Sequence, residues 1–299
     1  MSLLEGRVAI VTGGGRGVGR AYALKLAEHG ARVLVNDLGG DAAGVGTDAT
    51  PAQAVVAEIK AMGGEAAVNG GDVANFQQAR AMIEQAVDTF GHLDVLINNA
   101  GILRDRMLVN MTEDEWDSVI NVHLKGTFAP SHHAANYWRL RSKAGETVDA
   151  RIINTTSHSA LYANIGQVNY AAAKAGIASF SQVAARELQR IGVTVNALAP
   201  RAETRMTHGL REWTEEQLKR RDPEWIAGFV AWLASHESRD VSGRVFEVWG
   251  YGITVAESWQ HGPSMDASKD PTTLGEGVKR ILKFARGNAG INPNEWLDP

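Results

Sequence analysis

Residues 7–37, RVAIVTGGGRGVGRAYALKLAEHGARVLVND, decide the fold. An apolar, β-branched run over 7–11 leads into the glycine-rich turn TGGGRGVG of 12–19, and the helical pattern AYALKLAEHG follows and stops at Gly30. A second apolar run, 32–36, ends at Asp37. Strand, glycine turn, helix, strand is one βαβ unit. Gly13, Gly15, Gly17 and Gly19, with Arg16 and Val18 between them, form the turn. Its bare backbone lets a pyrophosphate approach, and the helix behind it offers unpaired N–H groups and a positive dipole end. The spacing Gly13-xxx-Gly17-x-Gly19 departs from the Gly-x-Gly-x-x-Gly fingerprint, so position between strand and helix carries the reading more than the motif does. Asp37 places a carboxylate where ribose hydroxyls of an adenosine would lie. Its charge repels a 2′-phosphate and so favours NAD over NADP. Arg16 pulls towards phosphate, and Asp37 is given the greater weight.

The same alternation continues. A Gly/Ala/Asp-rich loop (39–50) precedes a helix that Thr50 caps and Pro51 opens. Weak strand 65–68, amphipathic helix 75–90 and strand 93–97 follow, then helical patterns over 113–121 and 127–141 and strands over 151–156 and 193–196. Alternating strands and helices predict an α/β fold, a doubly wound parallel sheet with helices on both faces. With no repeat or compositional break, one domain spans residues 1–262, and residues 263–299 form a C-terminal extension, partly helical over 274–286.

The second informative stretch is TTSHSALYANIGQVNYAAAKAG, residues 155–176. Tyr170 and Lys174 stand four apart in an Ala-rich run, which stacks them on one helical face. A phenol with a reference pKa of about 10 is a poor base at neutral pH. A neighbouring ammonium and a cationic cofactor ring would favour the phenolate. Ser157, at the end of a strand, is then placed to hydrogen-bond the oxygen of the alcohol or carbonyl being converted. Taken alone, Tyr-x-x-x-Lys is an ordinary surface helix pair; its company changes that.

Composition narrows the classes. The 299 residues are 44% hydrophobic, enough for a full core, and the net charge of −4 without a long basic run argues against nucleic acid as a partner. Absence of cysteine excludes disulfides and thiolate chemistry. No run approaches the roughly 20 apolar residues of a membrane span, and a start without a leader together with an end other than Ser-Lys-Leu leads to the expectation of a cytoplasmic protein. His132, His133, His158 and His208 lack a carboxylate at ligand spacing, so no metal is expected.

Thr12-Gly13-xxx-Gly17-x-Gly19, Asp72-Val73, Asn98-Asn99-Ala100-Gly101, Ser157, Tyr170-xxx-Lys174 and Asn196-xxx-Pro200 together resemble the short-chain dehydrogenase/reductase family, in order and spacing, over residues 4–251. The resemblance implies a seven-stranded Rossmann-like sheet, a nicotinamide cofactor and interconversion of an alcohol and a ketone. It implies Tyr170 as acid/base, Lys174 as the group that lowers its pKa and holds the nicotinamide ribose, and Ser157 orienting the substrate oxygen. Asp72 and Val73 would lie by the adenine, and Asn99, Ala100 and Gly101 along the cofactor. RAYALKLAEHGARVLVNDLGGD, NNAGILRDR, VHLKGTF, RMT and HESRDVSGRVFEV are similar to the (3R)-hydroxyacyl-CoA dehydrogenase subgroup of peroxisomal multifunctional enzymes and their bacterial relatives. That implies NAD, an acyl-CoA substrate and a stand-alone dehydrogenase. An NADPH-linked ketoacyl or steroid carbonyl reductase, and a non-catalytic nucleotide-binding module, are the alternatives.

Departures from the family pattern single out further residues. His123 stands where the wider family has an Asn that supports a water chain to the lysine; it either holds that water or bonds local backbone. Pro200-Arg201 replaces Pro-Gly, with Thr204 the candidate for the nicotinamide amide. Residues 202–221 correspond to the variable substrate loop, where Arg205, Arg211, Lys219, Arg220 and Arg221, like Arg104 and Arg106, are candidates for CoA phosphates, weighed against an ordinary solvated mixed-charge helix. Met107, Met111, Leu161 and Tyr162 are candidates for an acyl pocket, against the plainer reading as core. Small-residue helices around 128–138 and 171–185 suggest a homodimer or homotetramer.

Overall fold

A computed structural model describes residues 2–203, 213–257 and 259–288. In chain order the elements begin with β1 (Val8–Thr12), α1 (Gly17–Glu28), β2 (Arg32–Asn36), α2 (Thr50–Ala61), β3 (Ala66–Asn69), α3 (Phe76–Phe90) and β4 (Val95–Asn98). Then come α4 (Glu113–Ile120), a π-helical turn (Asn121–Lys125), α5 (Gly126–Lys143), β5 (Ala150–Thr155), α6 (His158–Leu161), α7 (Val168–Leu188) and β6 (Val193–Pro200). The chain continues through α8 (Glu215–Lys219), α9 (Glu224–Leu233), β7 (Val245–Trp249), β8 (Gly252–Ala256) and α10 (Gly275–Phe284).

The sheet order is β3-β2-β1-β4-β5-β6-β7-β8. Seven strands are parallel, as expected, and an eighth, β8, adds antiparallel to β7. The expectation of seven missed it because its residues are mostly exposed, so GITVA lacks the continuous apolar run that marks a strand buried on both faces. Helices α1, α2 and α9 bury Tyr22, Leu26, Val55, Ile59, Ile226 and Val230 against one face. On the other, α3, α5 and α7 bury Met82, Ile83, Ala134, Trp138 and Ala184.

Helix starts follow local chemistry. The Asn75 side chain accepts from Gln77 and Gln78 N–H at the start of α3, and Thr112 forms a reciprocal capping box with Glu115 at α4. Thr50, expected to cap α2, is instead its first helical residue. Asp48 takes the Thr50 N–H at 2.9 Å, since a carboxylate two residues upstream reaches the free donor first.

Two buried arginines fasten the N-terminal ends of the strands. Arg7 donates to the Asp149 carboxylate at 2.7 Å, while Arg151, itself in β5, meets the other oxygen of Asp149 and donates to Ser235 O at 2.8 Å. His236 also meets Asp149. Beneath the opposite rim a polar chain crosses the sheet: Asn98 donates to Asn154 (2.8 Å) and Ser131 (2.9 Å), and Asn154 donates to Ser181 (2.9 Å). β1 pairs with both β2 and β4, so the strand order reverses there. Ligands of open α/β sheets bind at that switch, outside the carboxyl ends of the strands.

Candidate active site

A cleft of about 430 Å³ opens at the reversal point. Its walls include Gly13, Arg16, Gly17, Val18, Asp37, Asp72, Val73, Asn99, Ala100 and Gly101 on one side, and His123, Ser157, Tyr170, Lys174 and Pro200 on the other. Most of the catalytic and cofactor-binding residues singled out from the sequence thus meet in one place. Thr204 lies outside the described residues, as do Arg205 and Arg211. Gly15 and Gly19 do not line the cleft but let its floor close up. A Cβ on Gly19 would stand 2.1 Å from Gly13 O, and one on Gly15 would stand 2.7 Å from the Asp37 carboxylate. Gly13, at φ +62°, holds a backbone conformation that side chains rarely adopt. A dinucleotide fits such a bare cradle.

Asp37 is held by its surroundings. Gly15 N–H donates to one carboxylate oxygen at 2.8 Å and Gly39 N–H to the other at 2.7 Å, and lone pairs remain for hydroxyl donors. Arg16 does not reach into the cleft as a free cation. Its guanidinium donates to Gly40 O at 3.1 Å and stands 3.7 Å from Asp48. Asn99 supports the glycine turn, donating to Thr12 O and Gly13 O at 3.0 and 3.1 Å, while its own N–H goes to the Thr12 hydroxyl.

β5 ends at Thr155, and Ser157 begins α6 in an extended conformation. Ser157 hydrogen-bonds the Tyr170 phenol and accepts from Ser159 N–H at 3.1 Å. Lys174 lies one turn along α7 from Tyr170, its ammonium 5.6 Å from the ring centre, and donates to Thr155 O at 2.6 Å. Thr156 returns a bond to Lys174 O at 2.7 Å, which locks the end of β5 to α7. Burial dominates the titration of both groups. It raises the Tyr170 phenol above its ordinary value despite the Ser157 bond, and it pulls Lys174 down to about 7. In the protein alone the phenol is therefore not made acidic, because desolvation outweighs the help of Ser157; the sequence-based expectation also counts on a cationic cofactor ring.

A folded pKa below the unfolded one means that burying Lys174 costs stability as pH falls from about 10.5 to about 7, with the full cost below that. The cost at pH 7 is at most about 4 kcal/mol. Lys174→Met is accordingly expected to raise the melting temperature of the ligand-free protein at pH 7, by an amount that shrinks towards pH 10, while turnover is lost. Scanning calorimetry across pH checks this; a variant less stable than wild type at pH 7 would refute it.

His123 sits in the π-helical turn, a helix form frequent at functional sites. Its Nε2 is 2.7 Å from Ile102 O, and its ring meets Tyr170 edge-on at 5.1 Å. Burial, reinforced by Lys174, holds it far below its usual range, at about 3, so it is neutral. Ile102 N–H also donates to Nε2 at 3.1 Å, and buried Nδ1 has no hydrogen-bond partner. Gly101 makes room for the ring: a Cβ there would stand 2.3 Å from His123 Cε1.

Met107, Met111, Leu161 and Tyr162 do not line the cleft, and Met107 is exposed. The Tyr162 hydroxyl instead donates to buried Glu247 at 2.8 Å. Glu247 also lies 3.0 Å from His158 Nε2. Burial lowers His158, with Glu247 opposing it. This carboxylate on β7 fastens the segment that carries Ser157, and nothing in the local pattern VFEVW marks it. Asn164 and Gln167, also missed, line the cleft and bond each other at 2.7 Å. Arg104 and Arg106 are occupied with Ala43 O and Glu115, the latter drawn well below its usual range to about 2. Glu247→Leu is expected to destabilise the protein by about 2–3 kcal/mol in urea denaturation, the cost of a buried bond to a charged group; an unchanged midpoint would refute the anchoring role.

Comparison with known proteins settles the lineage. The family described as short chain dehydrogenase matches residues 7–215. The chain belongs to the short-chain dehydrogenase family. A crystal structure of a short chain dehydrogenase from Mycobacterium avium is 52% identical, with a TM-score of 0.89 over 97% of this chain and 99% of that one. Hydroxyacyl-CoA dehydrogenase ChsB1 of Mycobacterium tuberculosis is 42% identical over 91% of this chain and 87% of its own length. Mouse peroxisomal multifunctional enzyme type 2 is 42% identical over 97% of this chain, which spans 41% of that enzyme's length. A Burkholderia cenocepacia short chain dehydrogenase at 32% identity and TM-score 0.71, covering 83% of this chain and 98% of that one, was solved in complex with NADP. A nicotinamide dinucleotide, NAD or NADP, is the cofactor class of this dehydrogenase family. Among the described residues no helix is long and apolar enough to cross a membrane, and no group of three or more His, Asp or Glu is placed to hold a metal ion.

Proposed function

We propose that the chain is an NAD-dependent dehydrogenase acting on the secondary alcohol of a (3R)-hydroxyacyl-CoA. The observation that carries this reading is one cleft that holds Asp37 at one end and Ser157, Tyr170 and Lys174 at the other. The names of the two similar enzymes supply the substrate class.

When bound, the dinucleotide supplies the hydride acceptor and, in its oxidised form, a positive charge close to Tyr170. Gly13, Gly17 and the start of α1 would hold its pyrophosphate; Asp37 would take the adenosine ribose hydroxyls. Ser157 and Tyr170 then share the substrate oxygen. Ser157 Oγ donates to it, and the Tyr170 phenolate oxygen receives the hydroxyl proton as the carbinol carbon loses its hydride. Lys174, with a pKa of about 7, exchanges protons readily at neutral pH, and neutral His123 has an unpartnered Nδ1 that can bond a water on that path. Engagement of Arg16 with Gly40 O and Asp48 removes the main cation that would favour a 2′-phosphate.

The test is direct assay of the purified protein. A (3R)-hydroxyacyl-CoA with NAD should be turned over at least tenfold more efficiently than with NADP. Failure with every hydroxyacyl-CoA, together with NADPH oxidation by ketones, would replace this reading with the reductase alternative. Exposed Phe128 on α5 and Val183 on α7 support two-fold association through these helices, as part of the same proposal; a monomeric mass in sedimentation would remove it.

A further inference from the structure

Residues 38–48, between β2 and α2, form a strap across the cleft. Asp48 N–H donates to Leu38 O at 3.3 Å, which brings the two ends together and makes the segment an Ω-type loop. Its middle is a compact unit. The Asp41 carboxylate accepts from the N–H groups of Ala43 and Val45, both at 2.9 Å, while Asp41 N–H donates to Val45 O at 2.9 Å. Gly39 (φ +82°) and Gly46 (φ +86°) flank this unit, and as glycines they are the points where the strap can bend. Its far side is tied to the segment after β4. Leu103 N–H donates to Ala42 O at 3.0 Å and Arg104 Nε donates to Ala43 O at 2.8 Å. Gly44 packs so closely on Ile102 that a Cβ there would stand 2.9 Å from its side chain. From the near side Arg16 adds its bond to Gly40 O.

The topology fixes what lies beneath. β1 runs between β2 and β4 in the sheet, so a span from the end of β2 to the segment after β4 passes over the glycine turn that follows β1. Leu38, Gly40, Asp41, Ala42 and Gly44 accordingly line the cleft. A dinucleotide laid from Asp37 to Tyr170 is crossed by the strap at its middle, and the ties that hold the strap shut are contacts of the chain with itself. We propose that the strap is a gate for the dinucleotide: it lifts as one piece, bending at Gly39 and Gly46, and Ala42 and Ala43 part from Leu103 and Arg104 before the cofactor enters or leaves. The gate goes beyond the hydroxyacyl-CoA reading and does not depend on it, since only the cofactor class is used. Arg104 belongs to the latch. The latch closes over the empty and the loaded cleft alike, so weakening it speeds passage in both directions and leaves affinity nearly unchanged. Loss of a direct contact with the cofactor would instead speed dissociation and weaken affinity together.

The experiment follows binding of NADH, or of NADPH where that binds more tightly, by stopped-flow fluorescence with wild type and Arg104→Met. In wild type the observed rate should level off as cofactor is raised, at the rate of strap opening. In the variant that plateau should rise about tenfold, as expected for loss of one bond to a charged group. Association and dissociation rate constants should rise together, with Kd within about threefold. A wild-type rate that climbs linearly with cofactor, equal kinetics in the two proteins, or faster dissociation matched by an equal loss of affinity would overturn the gate. Failure of both dinucleotides to bind overturns it too, together with the cofactor assignment. Should the variant not fold, wild type decides through the plateau and through hydrogen exchange of the ligand-free protein. There Leu103 N–H should be less protected than Val45 N–H, because lifting breaks the first bond and spares the second. The reverse order would mean that the strap unravels rather than lifts, and would overturn the proposal.

Discussion

Tyr170→Phe should lower kcat by about a thousandfold or more while NAD affinity stays within about threefold. A positioned acid/base contributes about 10²–10⁴ in rate, and here the loss is not cushioned, because Ser157 has no basic group of its own to replace the phenol. The ring is retained, so its edge contact with His123 and the burial around it survive. Stopped-flow hydride transfer together with fluorescence titration of NAD separates the two quantities. Retention of more than a tenth of wild-type turnover would exclude Tyr170 as the proton acceptor, and an unaltered biological role despite lost turnover would favour a nucleotide-binding module. The phenol is pushed up by burial in the protein alone, so the wild-type rate should also rise with pH. A flat profile between pH 6 and 10 would contradict the requirement for a phenolate.

Asp37→Asn should shift the preference for NAD over NADP by about 10–100-fold towards NADP. Removing the charge abolishes repulsion of a 2′-phosphate at short range, an effect of a few kcal/mol in a partly buried site. Asparagine keeps one acceptor oxygen for the Gly15 or Gly39 N–H, so the turn is disturbed less than by Asp37→Ala. The ratio of kcat/KM for the two cofactors is the readout. No change in that ratio would mean that Arg16 or another group, not Asp37, reads the ribose.

The main outline was legible because its signals are local. Glycines between an apolar run and a helix, a carboxylate closing the next strand, and Tyr170 four residues before Lys174 each declare themselves within a few positions. What escaped was set by contacts across the sheet. Asn98, Asn154 and Ser181 become a chain only when β4, β5 and α7 are adjacent. Glu247 reads as one polar residue in a strand until β7 brings it beneath Tyr162 and His158. Arg16 looked like a free cation because its tethers, Gly40 and Asp48, belong to a loop whose path the sequence does not fix. The upward shift of Tyr170 in the protein alone is not legible for a related reason: charge is visible in a sequence, whereas desolvation depends on everything packed around the group.

The knot of Arg7, Arg151, Asp149 and His236 ties the strands at the end remote from the cleft. Robustness and recognition are thereby assigned to opposite rims of one scaffold. Substitutions that retune which alcohol is accepted can accumulate around the mouth without loosening the fastening behind it, which leaves this chain well suited to directed evolution towards new thioesters.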